Sequence, residues 1–324
     1  MRPYAFILVV CLYITGVYCQ DFHAVDLKVQ AYPKDYAAPE QLAAQIKKDF
    51  TKDEEKVRAV YYWLASNISY DMDAYFNDST YVSFTYVDAE DFRRKSAAID
   101  AYSVRSTFKK RRAVCEGFAQ SFRRVCELLK IPCKVVGGFS KTDASEIGTE
   151  KLEEDHVWNA VRIGGEWYLL DATWGAGYSE GKNWVQKFDD FYFFTDPETF
   201  SLSHLPSEPV WAFTRKRINK RRFYNAPVFK KAFFNHKLQL VYPLSGIVRT
   251  HPGSTMRFVL ENLDDGNALF YSFKGDKPLK PAQVECEGKK CKFSIPFSEE
   301  NKDTELVLFY NKQPILKYKI DREN

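Results

Sequence analysis

Three polar residues that lie far apart in the chain carry the side chains needed to attack an amide bond. Cys115 follows the cationic run at 109–112 and opens a helix-like segment, and both features favour the nucleophilic thiolate. His156 could shuttle the proton while Asp171 fixes the tautomer of the imidazole. These residue types together point to thiol-dependent acyl transfer. Taken alone, Cys115 could equally be a buried, inert thiol, which is a common state of free cysteine.

The Gly-Gly pair at 164–165 separates two strand-like segments, 156–163 and 166–172, and predicts a β-hairpin with a two-residue turn. That turn places His156 diagonally opposite Asp171 on one face of the hairpin. Diagonal Cβ atoms lie roughly 7 Å apart, a gap that these two side chains can close. A buried structural His–Asp pair is the alternative interpretation. The opposite face would be a core surface formed by Val157, Val161, Ile163, Tyr168, Leu170 and Ala172.

Helices predicted upstream of this hairpin would help to position the three residues. Thr51 and Glu54 form a capping-box pattern in front of a helix with apolar residues at helical spacing over 57–68. A second amphipathic helix is predicted over 115–130, where it ends before an Ile-Pro pair. The polar and aromatic stretch 75–107 shows few clear periods and is predicted to be irregular.

The C-terminal part has a different character. From about Asn225, short apolar runs alternate with turn residues at close spacing, a pattern typical of an all-β, immunoglobulin-like sandwich. Cys286 and Cys291 flank a Glu-Gly-Lys-Lys turn, which predicts a disulfide between them in an oxidising compartment. Cys126 and Cys133 are interpreted as core thiols, with a mutual disulfide as the alternative.

The N-terminus predicts a secretory signal peptide over 1–20. Arg2 provides a positive start, an uninterrupted apolar run covers 5–14, and small or modest residues precede a cleavage point near Gln20. Acylation of Cys19, as in a lipoprotein, is an alternative that the bulky Tyr18 disfavours. No later segment approaches the ~20 apolar residues that a spanning helix needs. We therefore expect an exported chain, periplasmic or extracellular, without a transmembrane span.

Charge and metal-binding patterns narrow the classes of partner. The formal net charge of +4 is too small to imply nucleic acid. The segment 211–231 holds eight Lys or Arg and no acidic residue, which is typical of a solvated linker. Contact with an anionic envelope or extracellular polymer is the alternative. No Cys-x-x-Cys and no closely spaced His pair occurs, so we expect neither a metal site nor a cofactor.

Several ordered segments resemble the transglutaminase-like core, and in particular its kyphoscoliosis-peptidase and hillarin branch. The resemblance covers roughly 40–211. The segments that carry it are Ala59-Val60-Tyr61-Tyr62-Trp63-Leu64, Asn67-Ile68-Ser69-Tyr70-Asp71, Ala113-Val114-Cys115-Glu116-Gly117-Phe118-Ala119, Leu129-Lys130-Ile131-Pro132-Cys133, Asp155-His156-Val157-Trp158-Asn159, Trp167-Tyr168-Leu169-Leu170-Asp171-Ala172-Thr173-Trp174, His204-Leu205-Pro206 and Pro209-Val210-Trp211.

The resemblance implies an α+β fold with a papain-like transglutaminase core, followed by the β-sandwich, which lies outside it. It also implies that Cys115 is the nucleophile, His156 the base and Asp171 the third member. We divide the chain into a catalytic domain at 21–210, a basic linker at 211–224 and a β-sandwich domain at 225–324. Calcium-dependent members carry acidic calcium loops; none is recognisable here, so metal independence is expected.

The sequence gives weaker evidence for the residues that would complete the site. The N–H of Cys115 at a helix start could stabilise the oxyanion, and Tyr70 is a candidate for the second donor. Trp158 and Trp174 neighbour the site and could wall a substrate cleft, although ordinary packing would explain them as well. No partner for His204 can be named from the sequence.

Two hypotheses for function follow. The first is an exported thiol enzyme acting on amide bonds of a protein or peptide substrate, by hydrolysis or by transfer to an amine. The second is a non-catalytic binding or scaffold protein that retains the fold. Acyl transfer from a small-molecule thioester shares the same chemistry and remains open.

Overall fold

The structure of the protein is a computed structural model that describes residues 21–77, 84–264, 266–301 and 305–323. The predicted signal peptide at 1–20, with Cys19, lies outside the described residues and stays a prediction. The described residues contain no helix with both the length and the apolar character that crossing a membrane requires.

The α-helices of the described chain lie mostly before residue 130. They are α1 (His23–Gln30), α2 (Pro39–Asp49), α3 (Asp53–Asn67), α4 (Met72–Phe76), α5 (Ala89–Lys110), α6 (Cys115–Leu128), α7 (Pro197–Phe200), α8 (Lys220–Asn225) and α9 (Lys231–Asn235). Short 3-10 helices occur at Ala144–Glu146, Trp174–Ala176, Asp190–Tyr192, Pro209–Trp211 and Gly266–Ala268.

Among the described residues, strands form one four-stranded and two two-stranded sheets in the N-terminal part, and a four-stranded and a six-stranded sheet in the C-terminal part. The first group comprises β1 (Ser69–Tyr70), β2 (Arg112–Ala113), β3 (Cys133–Ser140), β4 (His156–Ile163), β5 (Glu166–Leu170), β6 (Gly177–Glu180), β7 (Asn183–Gln186) and β8 (His204–Pro206). The second comprises β9 (Val228–Phe229), β10 (Gln239–Tyr242), β11 (Ile247–Thr250), β12 (Thr255–Glu261), β13 (Leu269–Phe273), β14 (Lys280–Pro281), β15 (Val284–Glu287), β16 (Lys290–Pro296), β17 (Glu305–Tyr310) and β18 (Gln313–Arg322).

Helix α6 packs on a four-stranded sheet of order β5-β4-β3-β8, which is the papain-like layer arrangement expected for the core. Its apolar side chains recur every three to four residues, so Phe118, Phe122 and Val125 fall on one face and are fully buried. The side-chain amide of Asn159 on β4 donates to the main-chain oxygen of Ala119 at 3.1 Å and ties the sheet to the helix. The α+β fold class with a C-terminal β-sandwich is confirmed.

The β4–β5 hairpin has the predicted register. Ile163 pairs with Glu166 and Asn159 with Leu170 across the Gly-Gly turn. Strand β5 ends at Leu170, two residues before the predicted end, and the chain then turns into the 3-10 helix that begins at Trp174. This early departure leaves Asp171 at the edge of the sheet.

The prediction of irregular structure over 75–107 is wrong, because most of that stretch belongs to the long helix α5. Only four of its side chains are buried, Asp91, Val104, Thr107 and Phe108, so most of the helix lacks the apolar periodicity that marks a core-facing helix. The side chain of Asp88 caps its start by accepting from the Asp91 N–H at 2.8 Å.

The boundaries of two other helices differ from the prediction. Helix α3 begins at Asp53 after Lys52, with no side-chain cap, so the predicted capping box at Thr51 and Glu54 is wrong. Helix α6 ends at Leu128 rather than at 130. The left-handed backbone of Lys130 (φ 62°) follows this end and stops the helix from continuing.

The C-terminal part is a sandwich of two sheets whose inner faces form one core. One sheet has the order β10-β12-β16-β15, and the other has the order β11-β18-β17-β13-β14 with β9 paired to β18. Phe258 and Phe293 from the first sheet pack with Leu308 and Tyr318 from the second. Cys286 and Cys291, which lie opposite each other on β15 and β16, form a disulfide.

The basic segment at 211–224 combines exposed cations with buried aromatic residues. Phe223 and Tyr224 are buried against Phe139 and Leu205 of the papain-like core. The exposed cations of this segment are Arg215, Lys216, Arg217, Arg221 and Arg222.

Candidate active site

Cys115 is placed by a short parallel pairing of two strands. Tyr70 on β1 pairs with Ala113 on β2, Val114 then takes an extended conformation as the N-cap, and Cys115 is the first residue of α6. The first N–H groups of a helix have no acceptor within the helix, so the Cys115 N–H is available to a ligand and lies at the positive end of the helix dipole.

Gly117 allows the nucleophile end of α6 to approach α5 closely. A Cβ at this position would lie 2.6 Å from the Ala113 Cβ and 2.6 Å from the Thr107 Oγ1. Any larger residue would therefore push the start of α6 away from α5 and move Cys115 with it.

His156 and Asp171 meet at the edge of the sheet, where the hairpin register places them diagonally. The Nε2 atom of His156 lies 2.7 Å from Asp171 Oδ2. Both side chains are buried, with relative exposures of 6% and 1%. The backbone of Asp171 is also held in place, since its N–H donates to the main-chain oxygen of Tyr192 at 2.9 Å.

The Cys115 thiol completes the chain of contacts. It lies close enough to the His156 ring to influence the pKa of that ring, while Nε2 of the ring faces Asp171. Burial by itself lowers the pKa of His156, but the Asp171 carboxylate and the Cys115 thiolate outweigh it and raise this pKa to about 10. The structure therefore brings the three sequence-predicted residues together, with His156 as imidazolium and Asp171 as carboxylate.

The carboxylate of Asp171 accepts hydrogen bonds on both oxygens. Oδ1 accepts from the main-chain N–H groups of Thr173 at 2.8 Å and Trp174 at 3.1 Å. Oδ2 lies near two imidazoles. Burial opposes ionisation of Asp171, but the charge and hydrogen bond of His156, followed by those of His204, lower its pKa. Asp171 is thus ionised at neutral pH although it is buried.

His204 is the residue that sequence reasoning missed. Its Nε2 atom lies 3.1 Å from Asp171 Oδ2, and its ring is fully buried. Strand β8 brings it there by pairing Ser140 of β3 with His204. Because β8 is a three-residue edge strand remote in sequence from the hairpin, neither a hydrophobic period nor the spacing of residues in the sequence could indicate this contact.

The three further candidates occupy different positions. Tyr70 lies beside the nucleophile: burial raises the pKa of its phenol, and the nearby Cys115 thiolate raises it further. The Trp174 ring is partly exposed and lies 5.5 Å from the His156 ring, measured between centroids. Trp158 is only 1% exposed and packs with Phe200 in a separate core cluster, so it does not wall an open cleft.

Within the described residues, one group of side chains has the composition of a metal site. Ligand atoms of His156, Asp171 and His204 lie within 4.8 Å of one another, and all three residues are buried. Their atoms face each other as donors and acceptors, and hydrogen bonding alone accounts for this arrangement.

Comparison with known proteins agrees with this geometry. Residues 40–172 match the model of the transglutaminase-like superfamily. The chain carries a transglutaminase-like domain. This match confirms the resemblance that the ordered segments indicated, and it includes all three of Cys115, His156 and Asp171 within its bounds.

The relatives of this chain include much longer proteins. It is 28% identical over 216 residues to kyphoscoliosis peptidase of Mus musculus, covering 66% of this chain and 30% of the relative. It is 30% identical over 138 residues to hillarin of Drosophila melanogaster, covering 38% and 17%. These matches confirm the kyphoscoliosis-peptidase and hillarin branch, and each spans less than a third of the relative.

Among solved structures, a crystal structure of a TGase shares 18% identity, with a TM-score of 0.29 over 56% of this chain and 40% of that one.

Proposed function

We propose that this protein is a thiol enzyme that acts on amide bonds of proteins or peptides, by hydrolysis or by transfer of the acyl group to an amine. Cys115 is the nucleophile, His156 the acid and base, and Asp171 the residue that orients His156. One observation carries the proposal: the His156 ring hydrogen-bonds the Asp171 carboxylate and lies near the Cys115 thiol, which opens a helix.

The first half of the reaction forms a thioester. The Cys115 thiolate attacks the carbonyl carbon of the amide, and the resulting oxyanion accepts a hydrogen bond from the Cys115 N–H at the helix start. The Tyr70 hydroxyl is the candidate second donor, because it lies beside the nucleophile. His156 then gives its proton to the departing nitrogen, so the C–N bond breaks and ammonia or an amine leaves.

The second half releases the acyl group. Neutral His156 accepts a proton from water or from a primary amine as that nucleophile attacks the thioester. The C–S bond breaks, and the thiolate–imidazolium pair is restored. Throughout, Asp171 keeps the Nδ1 of His156 directed at the sulfur by holding Nε2 at 2.7 Å.

We further propose that the protein is exported. This proposal is supported by the signal-like N-terminal sequence and by the Cys286–Cys291 disulfide, since disulfides persist in oxidising compartments. The exposed cations of the basic segment are compatible with contact to an anionic envelope or extracellular polymer.

Two measurements test the enzymatic proposal. Iodoacetamide labelling of Cys115 across pH, with His156→Ala for comparison, reports whether the imidazole activates the thiol. A glutamine peptide offered with and without a labelled primary amine separates hydrolysis from transfer by the release of ammonia and the appearance of labelled product. Labelling that is indifferent to His156→Ala, with no product over a broad peptide panel, would instead favour a non-catalytic scaffold.

A further inference from the structure

We propose that His204 is a positioning residue for this site: it holds the Asp171 carboxylate in the orientation that directs His156 at Cys115. This inference rests on the proposed function, because it assigns a role within the same site. It concerns a residue on an edge strand, 33 positions beyond Asp171 in the chain.

The geometry places two imidazoles on one carboxylate oxygen. Asp171 Oδ2 lies 2.7 Å from His156 Nε2 and 3.1 Å from His204 Nε2. Together with the two backbone donors on Oδ1, His204 brings the number of hydrogen bonds to four, which is about the capacity of a carboxylate. Rotation of the carboxylate away from His156 would therefore break the hydrogen bond to His204 as well.

The protonation of His204 follows from its partners. An ionised carboxylate only accepts hydrogen bonds, so Nε2 of His204 must carry a proton. The Nδ1 atom lies 2.9 Å from Ser203 Oγ. A neutral ring then has its lone pair on Nδ1, where the Ser203 hydroxyl can donate to it at 2.9 Å in preference to the Phe200 oxygen at 3.3 Å.

The two histidines carry different charges although they share one partner. Burial lowers the pKa of His204 to about 4, and this effect outweighs the opposing influence of Asp171. At neutral pH the site thus contains one imidazolium, His156, and one neutral imidazole. A neutral donor can fix the carboxylate without competing with His156 for its charge.

Packing makes His204 a rigid donor. Its ring stacks on Phe200, with centroids 4.0 Å apart and planes inclined by 20°. The Trp174 ring covers it with a centroid distance of 4.3 Å, and its backbone pairs with Ser140 on β3. A donor that is held rigidly can fix the orientation of the carboxylate, whereas a mobile surface group could not.

The decisive variant is His204→Phe, which keeps the stacking ring but removes both ring nitrogens. We expect the rate of Cys115 labelling by iodoacetamide at neutral pH to fall about tenfold, since the carboxylate loses one of the donors that hold it against His156. The pH profile of labelling should also move to higher pH, because a misaligned imidazolium stabilises the thiolate less. His204→Gln keeps a donor and should restore part of both losses.

The matched control is His236→Phe, the same substitution in the β-sandwich, where the His236 ring lies 4.8 Å from Tyr310. It should leave the labelling rate and its pH profile unchanged. Should His204→Phe not fold, Ser203→Ala tests the same arrangement, because it removes only the hydroxyl that faces Nδ1. A smaller loss in the same direction is then expected.

A folded His204→Phe protein with the rate and pH profile of the parent would overturn the inference, as would a parent whose labelling does not respond to His156→Ala. Labelling needs no substrate, so the two proposals fail separately. An absence of product over the peptide panel would count against the amide chemistry while leaving the labelling result, and the role of His204, intact.

Discussion

The side-chain nitrogen Nζ of Lys141 donates hydrogen bonds to the main-chain oxygen of Phe223 at 2.5 Å and to that of Ala226 at 2.6 Å. Lys141 follows strand β3 and is only 1% exposed, whereas Phe223 lies in the last turn of helix α8 and Ala226 is its C-cap. Cations near a helix C-terminus are stabilised by its carbonyl groups. A buried lysine therefore fastens the segment before the β-sandwich to the papain-like core.

Replacing this lysine tests the attachment. Lys141→Met preserves much of the volume but leaves two carbonyl groups without their donor, so we expect the free energy of unfolding to fall by about 2–4 kcal/mol. Urea denaturation measures the change. Lys134→Met in strand β3 is the control, because Lys134 is exposed and should change stability by less than about 0.5 kcal/mol. Equal effects of the two variants would contradict the attachment.

The close approach of α5 and α6 predicts that Gly117→Ala is damaging. The added methyl group meets Ala113 and Thr107 at 2.6 Å, so we expect a loss of about 1–3 kcal/mol in unfolding free energy and slower labelling of Cys115. Thermal denaturation and labelling measure these effects.

Ser121→Ala on the same helix is the matched control for Gly117→Ala. Ser121 is fully buried and its hydroxyl has no hydrogen-bond partner among the described residues, so removing it should be neutral or stabilising. If Gly117→Ala proves as harmless as Ser121→Ala, the close contact is not a constraint on the site.

The surroundings of Asp171 predict the effect of Asp171→Asn. All four of its partners are donors: two imidazole nitrogens and the N–H groups of Thr173 and Trp174. An amide has one donor end, which would face a donor in either orientation. We expect turnover to fall by a factor on the order of 10²–10⁴.

Peptide turnover and Cys115 labelling are the measurements for Asp171→Asn. Asp196→Asn serves for comparison, since an asparagine can replace the aspartate that caps helix α7 and lies outside the proposed site. Parent-like activity of Asp171→Asn would show that the third member needs no negative charge.

The lowered pKa of His204 predicts a specific dependence of stability on pH. The folded-state pKa of His204 is lowered to about 4 by burial, whereas free histidine titrates near pH ~6.5. Between these values the unfolded chain binds the additional proton, so stability falls as the pH falls. His156, whose folded-state pKa is raised, is protonated in both states below pH ~6.5 and adds no slope there.

Comparison of the parent with His204→Gln isolates this effect. On acidification through that interval, the parent should lose up to about 3 kcal/mol more unfolding free energy than the variant. Urea denaturation at both ends of the interval measures the difference. Parallel pH curves for the two proteins would mean that His204 is not held neutral.

Local patterns in the amino-acid sequence were sufficient for several parts of this protein. The Gly-Gly turn determined the register that makes His156 and Asp171 diagonal neighbours, because a two-residue turn permits one pairing of the flanking strands. The apolar period of α6 determined which face meets the sheet. In both cases, the relevant interactions lie within one or two adjacent elements.

Only the tertiary structure decided the remaining parts. Helix α5 buries few side chains, so its stability comes largely from capping and from contacts at its C-terminal end, which leave no strong period in the sequence. His204 reaches Asp171 because an edge strand pairs with β3, and Lys141 meets Phe223 across 82 residues. Such contacts depend on how distant segments pack, and spacing along the chain carries no record of that packing.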